Sequence, residues 1–121
     1  MTESLENYLE SIYFIIRDKK VARVKDIAED LNVKKPSVIN AIKELKSRGL
    51  VEHEKYGYIE LTEKGMTRSK EISEKHGVLT HFFRDILQVS SKTAEEDACK
   101  MEHILSDESW KKLKKFIKEQ D

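Results

Sequence analysis

The stretch that most restricts how this chain can fold runs from Val24 to Leu61. Val24, Ile27, Ala28 and Leu31 fall at i, i+3, i+4 and i+7, one apolar face of a short helix. Asn32 and Val33 break that pattern, and Lys34-Lys35-Pro36-Ser37 opens a second helix, with Pro36 in the first turn, where its missing N–H costs nothing. The second helix is expected to bury Val38, Ile39, Ile42 and Leu45, and Gly49 is placed to end it as a C′ glycine. Leu50–Glu54 and Tyr58–Leu61 then read as two strands around the turn Lys55-Tyr56-Gly57. Two short helices joined by a tight turn and followed by a hairpin predict a winged helix-turn-helix, a frame that presents its second helix to the DNA major groove.

The remainder predicts a mainly α chain in which that small β-wing is the exception. Residues 1–64 are expected to form the reading domain and 65–121 a second, helical domain. Glu3 to Arg17 is an amphipathic helix carrying Leu5, Leu9, Ile12, Tyr13 and Ile16, with Ser4 as its expected N-cap. Val21–Arg23 is expected to pair as a small third strand beside the wing. Thr62 is a candidate N-cap for a long helix from Met66 to Leu87, expected to be interrupted near Gly77. A further helix covers Lys92 to Leu105. Ser106 caps a last one whose acids, Asp107 and Glu108, sit at its positive end and whose lysines sit at its negative end. Trp110, Leu113, Phe116 and Ile117 form its expected inner face. Three such helices are too few to bury their own apolar residues, so a symmetric homodimer is expected.

Charge supports the reading domain only locally. The chain has 23 basic and 23 acidic residues, so its net charge gives no pull toward nucleic acid. Between Val33 and Arg48, however, five basic residues (Lys34, Lys35, Lys43, Lys46, Arg48) face one acid, Glu44. A local basic surface is all that phosphate neutralisation needs. Lys34, Lys35, Lys43 and Lys46 are therefore expected to contact phosphate. Ser37 and Asn40, near the start of the helix, are expected to reach the groove, where Asn can pair with adenine. Tyr56 and Lys55 at the wing tip are expected to touch the backbone of double-stranded DNA. No apolar run approaches the roughly 20 residues of a membrane span. The N-terminal residues lack the basic and apolar regions of a secretion signal. A single cysteine cannot form an internal disulfide, and a cytoplasmic location is expected.

The second chemistry lies at Cys99, Glu102 and His103, spaced i, i+3 and i+4 and so within one turn on one helix face. Thiolate, carboxylate and imidazole together suit borderline first-row ions: Fe²⁺, Mn²⁺, Co²⁺, Ni²⁺ or Zn²⁺. Three side chains do not fill an octahedral site. The candidates to complete it are Asn7 and Glu10, three apart on the first helix, and His76 on the long helix. Taken singly each has a duller role: a lone intracellular Cys is usually a small core residue, and a Glu-His pair on a helix usually faces solvent. His81 lies about 140° around the helix from His76, so the two are not expected to share an ion.

These residues carry a resemblance. Glu-Asn-Tyr-Leu-Glu-Ser-Ile-Tyr (6–13), Lys-Pro-Ser-Val (35–38), Leu-Thr-Glu-Lys-Gly (61–65), Lys-His (75–76) and Asp-Ala-Cys-Lys-Met-Glu-His-Ile-Leu-Ser (97–106) together resemble the diphtheria-toxin-repressor family of metal-dependent repressors, which includes manganese-transport repressors. The resemblance spans essentially the whole chain, and block 97–106 is its most specific part. It implies a dimer that binds palindromic operators, with Cys99, Glu102 and His103 as ligands joined by His76 and Glu10. Asn7 stands where iron-responsive members carry Met and manganese-responsive ones Asp. Cys99 resembles the iron branch, whereas the manganese branch has Glu. Thr80 replaces the acid of an ancillary site, for which Glu95 is the remaining candidate. The SH3-like domain of the longer iron-responsive members is not expected.

The mechanism that follows is an ion tying the first helix to the dimer domain. That tie would set the separation of the two reading heads, which must match successive major grooves about 34 Å apart. The expected function is a transcriptional repressor of metal-uptake genes with Fe²⁺ or Mn²⁺ as corepressor. The competing reading is a metal-independent winged-helix regulator gated by an organic ligand or a partner protein. A small metalloenzyme is disfavoured, because no nucleophile-base pair and no Gly-rich phosphate loop is present.

Overall fold

Where the apolar spacing changes period, the chain changes element. The computed structural model describes residues 1–54 and 57–120. Two compact units result, Met1–Lys70 and Glu71–Asp121.

In the first unit, α1 (Glu3–Lys19) is capped by Thr2, whose Oγ1 accepts from the Leu5 N–H at 3.1 Å. The expected cap, Ser4, lies inside the helix instead. The acids Glu3 and Glu6 favour the earlier start, because they then lie in the first turn, where the helix dipole stabilises negative charge. The buried face of α1 is wider than the expected stripe: Leu5, Tyr8, Leu9, Ile12 and Ile15, while Tyr13 and Ile16 are half-buried. It packs on α2 (Val24–Leu31) and α3 (Lys35–Ser47) and on the wing sheet. The turn between α2 and α3 is made by Asn32 in the left-handed region (φ 53°), a conformation asparagine tolerates better than most residues. Ile27, Val38, Ile42, Leu45, Val51 and Ile59 close the core between these elements. Burying each such side chain is worth about 1.5–3 kcal/mol.

The wing sheet is antiparallel in the order β1 (Ala22–Arg23), β3 (Tyr58–Leu61), β2 (Val51–His53). Ala22 pairs with Ile59, and Val51 with Leu61. The expected third strand beside the wing is therefore present. The wing tip, Lys55 and Tyr56, lies outside the described residues. After Leu61, Thr62 caps α4 (Glu63–His81): its Oγ1 accepts from the Gly65 N–H at 3.0 Å and donates to the Gly49 carbonyl at 2.6 Å.

The second unit takes the later turns of α4, a π-helical turn (Phe82–Ile86), α5 (Ser91–Ile104) and α6 (Asp107–Glu119). Gly77 does not interrupt α4, and a Cβ placed there meets nothing within 4 Å. The regular helix gives way only at Phe82. Gly77→Ala is accordingly expected to stabilise the protein by about 0.5–1 kcal/mol, the helix-interior difference between the two residues, read as a higher denaturation midpoint. Ile72, Leu79, Ala94, Ala98 and Ile117 form the buried core of this unit. Phe116, expected on the inner face of α6, is 50% exposed, and Leu87 and Ile104 are 52% and 72% exposed. Trp110 is half-buried, with the Lys75 and Lys114 ammonium groups 5.9 and 5.8 Å from its ring centre.

Within the π-helical turn, Asp85 accepts from Arg84 (Nε, 3.0 Å; Nη2, 3.0 Å) and from His81 Nδ1–H (2.8 Å). The Arg84 guanidinium first, then His81, holds the Asp85 carboxyl at about 2, well below the usual carboxylate range. A depressed value means that the stabilisation is complete above about pH 4 and is lost as the pH falls toward 2. An NMR titration should place the Asp85 midpoint near that value, and Arg84→Ala should move it up.

Candidate metal centre and nucleic-acid interface

Helix α5 delivers the donor cluster. Its inward residues Ala94 and Ala98 are fully buried, and small side chains there let the helix sit close to its neighbours. The next inward position is Glu102, only 2% exposed, and a buried carboxylate demands compensation. The ligand atoms of Cys99, Glu102 and His103 all lie within 4.8 Å of one another. The side chains of Glu102 and His103 are wholly buried, with Glu102 Oε1 3.2 Å from His103 Nε2. Cys99 is exposed. From α4, His76 Nδ1 lies 2.9 Å from Glu102 Oε2. The two atoms are within hydrogen-bond distance, so the His76 ring and the Glu102 carboxyl hold each other in position.

Four of the six predicted donors are thus brought together in the second unit: His76, Cys99, Glu102 and His103. Asn7 and Glu10 sit three apart on α1 of the first unit. Both are half-buried, and one Glu10 carboxylate oxygen is withdrawn from solvent. The donor set fits a divalent first-row ion. A thiol, an imidazole and an enclosed carboxylate lie within 4.8 Å of one another on α5, with the His76 imidazole against the same carboxylate, and such a mixed S/N/O set suits a positive ion. Thr80, where the resemblance calls for an acid, donates its hydroxyl to the His76 carbonyl at 2.7 Å. His81 Nδ1 lies 2.8 Å from Asp85 Oδ2.

Helix α3 carries the second candidate surface. Lys34 is its N-cap and Pro36 lies in its first turn. Inside, Val38, Ala41, Ile42 and Leu45 are buried; outside, Lys34, Lys35, Pro36, Ser37, Asn40, Lys43 and Lys46 are all exposed. Arg48 is turned to Glu44 (3.1 Å), so these two balance each other and the helix keeps an exposed lysine-rich face. Ile39, expected to be buried, is 40% exposed, while Ala41 takes the interior position. Alanine's neutral size hid that position from an apolar-periodicity reading. Periodicity also gave no sign of a contact at the wing base: Arg23, the N-cap of α2, donates from Nη2 to the Tyr58 hydroxyl at 2.8 Å and lies 4.9 Å from that ring's centre.

Among the described residues no helix is long and apolar enough to cross a membrane. Residues 1–59 match the model of the iron dependent repressor N-terminal DNA binding domain, and residues 62–121 match that of the iron dependent repressor metal binding and dimerisation domain. An uncharacterised helix-turn-helix transcriptional regulator of Methanocaldococcus jannaschii is 42% identical over 97% of this chain and 94% of its own. The transcriptional regulator MntR of Lysinibacillus sphaericus is 37% identical over 87% of this chain and 75% of its own. The structure of the manganese regulator SloR superposes with a TM-score of 0.82 at 30% identity, over 98% of this chain and 55% of the SloR chain. The chain spans about half the length of that protein. With a winged reading head in the first half, a buried donor cluster in the second and matches across both, this chain belongs to the diphtheria-toxin-repressor, or iron-dependent repressor, family of metal-responsive, DNA-binding transcriptional regulators, which are not enzymes.

Proposed function

We propose that this protein represses metal-uptake genes in the cytoplasm, with Fe²⁺ or Mn²⁺ as its corepressor. The observation that carries the reading is the enclosed Glu102 carboxylate, flanked by His76 and His103 and within ligand distance of Cys99. Cys99, Glu102, His103 and His76 are the proposed ligands on the second unit, and Glu10 and Asn7 the further donors from α1. When bound, the ion supplies positive charge and a fixed set of coordination directions. Glu102 and His103 hold position through burial. His76 orients Glu102, and the exposed Cys99 must shed its thiol proton to ligate. The thiolate biases the set toward Fe²⁺ over Mn²⁺, because softer donors follow the rising affinity order from manganese to iron.

On the nucleic-acid side, Ser37 and Asn40 are proposed to read base edges of a palindromic operator, with Lys34, Lys35, Lys43 and Lys46 on phosphate. Pro36 sets the first turn of the reading helix. Tyr56 is proposed as a wing-tip contact to the backbone. Residues 1–64 are proposed to serve recognition, and 65–121 metal binding and dimerisation. The exposed Leu87, Ile104 and Phe116 are proposed to be covered by the second copy of the homodimer. Equilibrium dialysis under anaerobic conditions tests the metal half. Wild-type protein is expected to retain Fe²⁺ and Mn²⁺, with Cys99→Ser reducing Fe²⁺ retention more than Mn²⁺. Equal loss of both ions would remove the thiolate from the selectivity argument, and no retention of either would contradict the metal centre.

A further inference from the structure

Helix α3 presents to solvent a stripe in which two hydrocarbon side chains, Pro36 in its first turn and Ile39 beyond it, stand among polar ones. Pro36, Ile39, Asn40, Lys43 and Ser47 recur at i, i+3, i+4, i+7 and i+11, so they share one face, and all are exposed. The opposite face holds Val38, Ala41, Ile42 and Leu45, and these complete the interior packing of the helix. Ile39 therefore has no part in the core. It offers a β-branched hydrocarbon, 40% exposed, beside an amide and an ammonium group.

We propose that Ile39 is a specificity-determining residue that reads the 5-methyl group of a thymine in the operator. The inference rests on the assignment of α3 as the helix that enters the major groove. Three physical points favour this occupant. The lysines around Ile39 draw this face toward a polyanion, which selects DNA over an apolar protein surface. The edges of the base pairs in the major groove are otherwise polar, and the thymine methyl is the apolar group they display. A β-branched side chain in a helix holds one strongly preferred χ1 rotamer, so Ile39 loses little freedom when it docks. Asn40 would supply polar discrimination at an adjacent base, while Ile39 adds an apolar contact to the thymine methyl, which cytosine does not offer.

The test uses the 121-residue chain with Mn²⁺ and a duplex enriched by it from a randomised library. Each thymine of that duplex is replaced in turn by deoxyuridine, which removes the methyl and keeps every hydrogen-bonding group. Fluorescence anisotropy then gives the affinities. The wild type is expected to lose about fourfold at one thymine per half-site, the equivalent of one buried methyl-sized group. Ile39→Ala is expected to bind the thymine and deoxyuridine forms of that position equally, and Ile39→Val to keep most of the preference. Circular dichroism should show both variants folded, since the side chain is outside the core. A scan in which no thymine methyl matters more to the wild type than to Ile39→Ala would overturn the inference while leaving the reading helix intact. A change in oligomeric state of Ile39→Ala with an unaltered thymine preference would also overturn it, assigning Ile39 to a protein contact. Failure to enrich any duplex would contradict the assignment of α3 itself, and the inference with it.

Discussion

Glu102→Gln is expected to weaken Fe²⁺ and Mn²⁺ binding by about 100-fold or more, above the 10–100-fold typical of losing an outer-shell partner. The substitution is nearly isosteric, so the side-chain amide still fits between His76 and His103 and the fold should persist. What disappears is a carboxyl oxygen able to ligate as an anion from a wholly buried position, where water screens its attraction for a cation least. Chelator competition reads the metal affinity, and thermal melting of the metal-free protein serves as the control. At a metal concentration that fills the wild-type site but not the weakened one, Glu102→Gln should bind duplex no better than metal-free wild type, because an ion that is not bound cannot shift the equilibrium. Unchanged metal affinity with a preserved melting temperature would place the ion elsewhere in the chain.

Gly65→Ala is expected to destabilise the protein by about 3 kcal/mol, at the upper end of the overpacking range. Gly65 is buried in the first turn of α4, directly against the backbone of Leu50. A Cβ there would come within 1.9 Å of the Leu50 carbonyl oxygen and 2.9 Å of its carbonyl carbon. Backbone cannot step aside as a flexible side chain can. The same carbonyl accepts from the Thr62 N–H at 3.1 Å, so any shift that relieves the clash also strains the cap of α4. A drop in melting temperature on the order of 10 °C is the expected readout. A melting temperature equal to that of wild type would show that α4 does not approach the wing strand so closely.

The helix-turn-helix was legible because its signals are local. The apolar spacing of α2 gives its bounds, Pro36 marks the start of α3 and Gly49 the residue after its end, in the left-handed region at φ 75°. The Cys99-Glu102-His103 cluster was legible for the same reason: one turn of helix suffices to bring the three together. Three features escaped because distant residues decide them. Ile39 reads as core by composition, and only the packing of α3 shows that Ala41 fills the interior instead. Gly65 sits in a recognisable Leu-Thr-Glu-Lys-Gly motif, but its reason is the Leu50 carbonyl fifteen residues earlier in the chain. Gly77 was expected to break the helix on intrinsic propensity, a cost of about 1 kcal/mol that α4 absorbs through burial of Ile72 and Leu79 on either side.

A divalent ion at the α5 cluster is proposed to control the affinity of the reading head for DNA. Anisotropy titration of one enriched duplex, with Fe²⁺ or Mn²⁺ and then with excess chelator, tests it most directly. The affinity is expected to be about 5–150-fold tighter with metal, the span of an ordinary allosteric coupling, and this gain is expected to vanish in Glu102→Gln. Equal affinity with and without metal would contradict it.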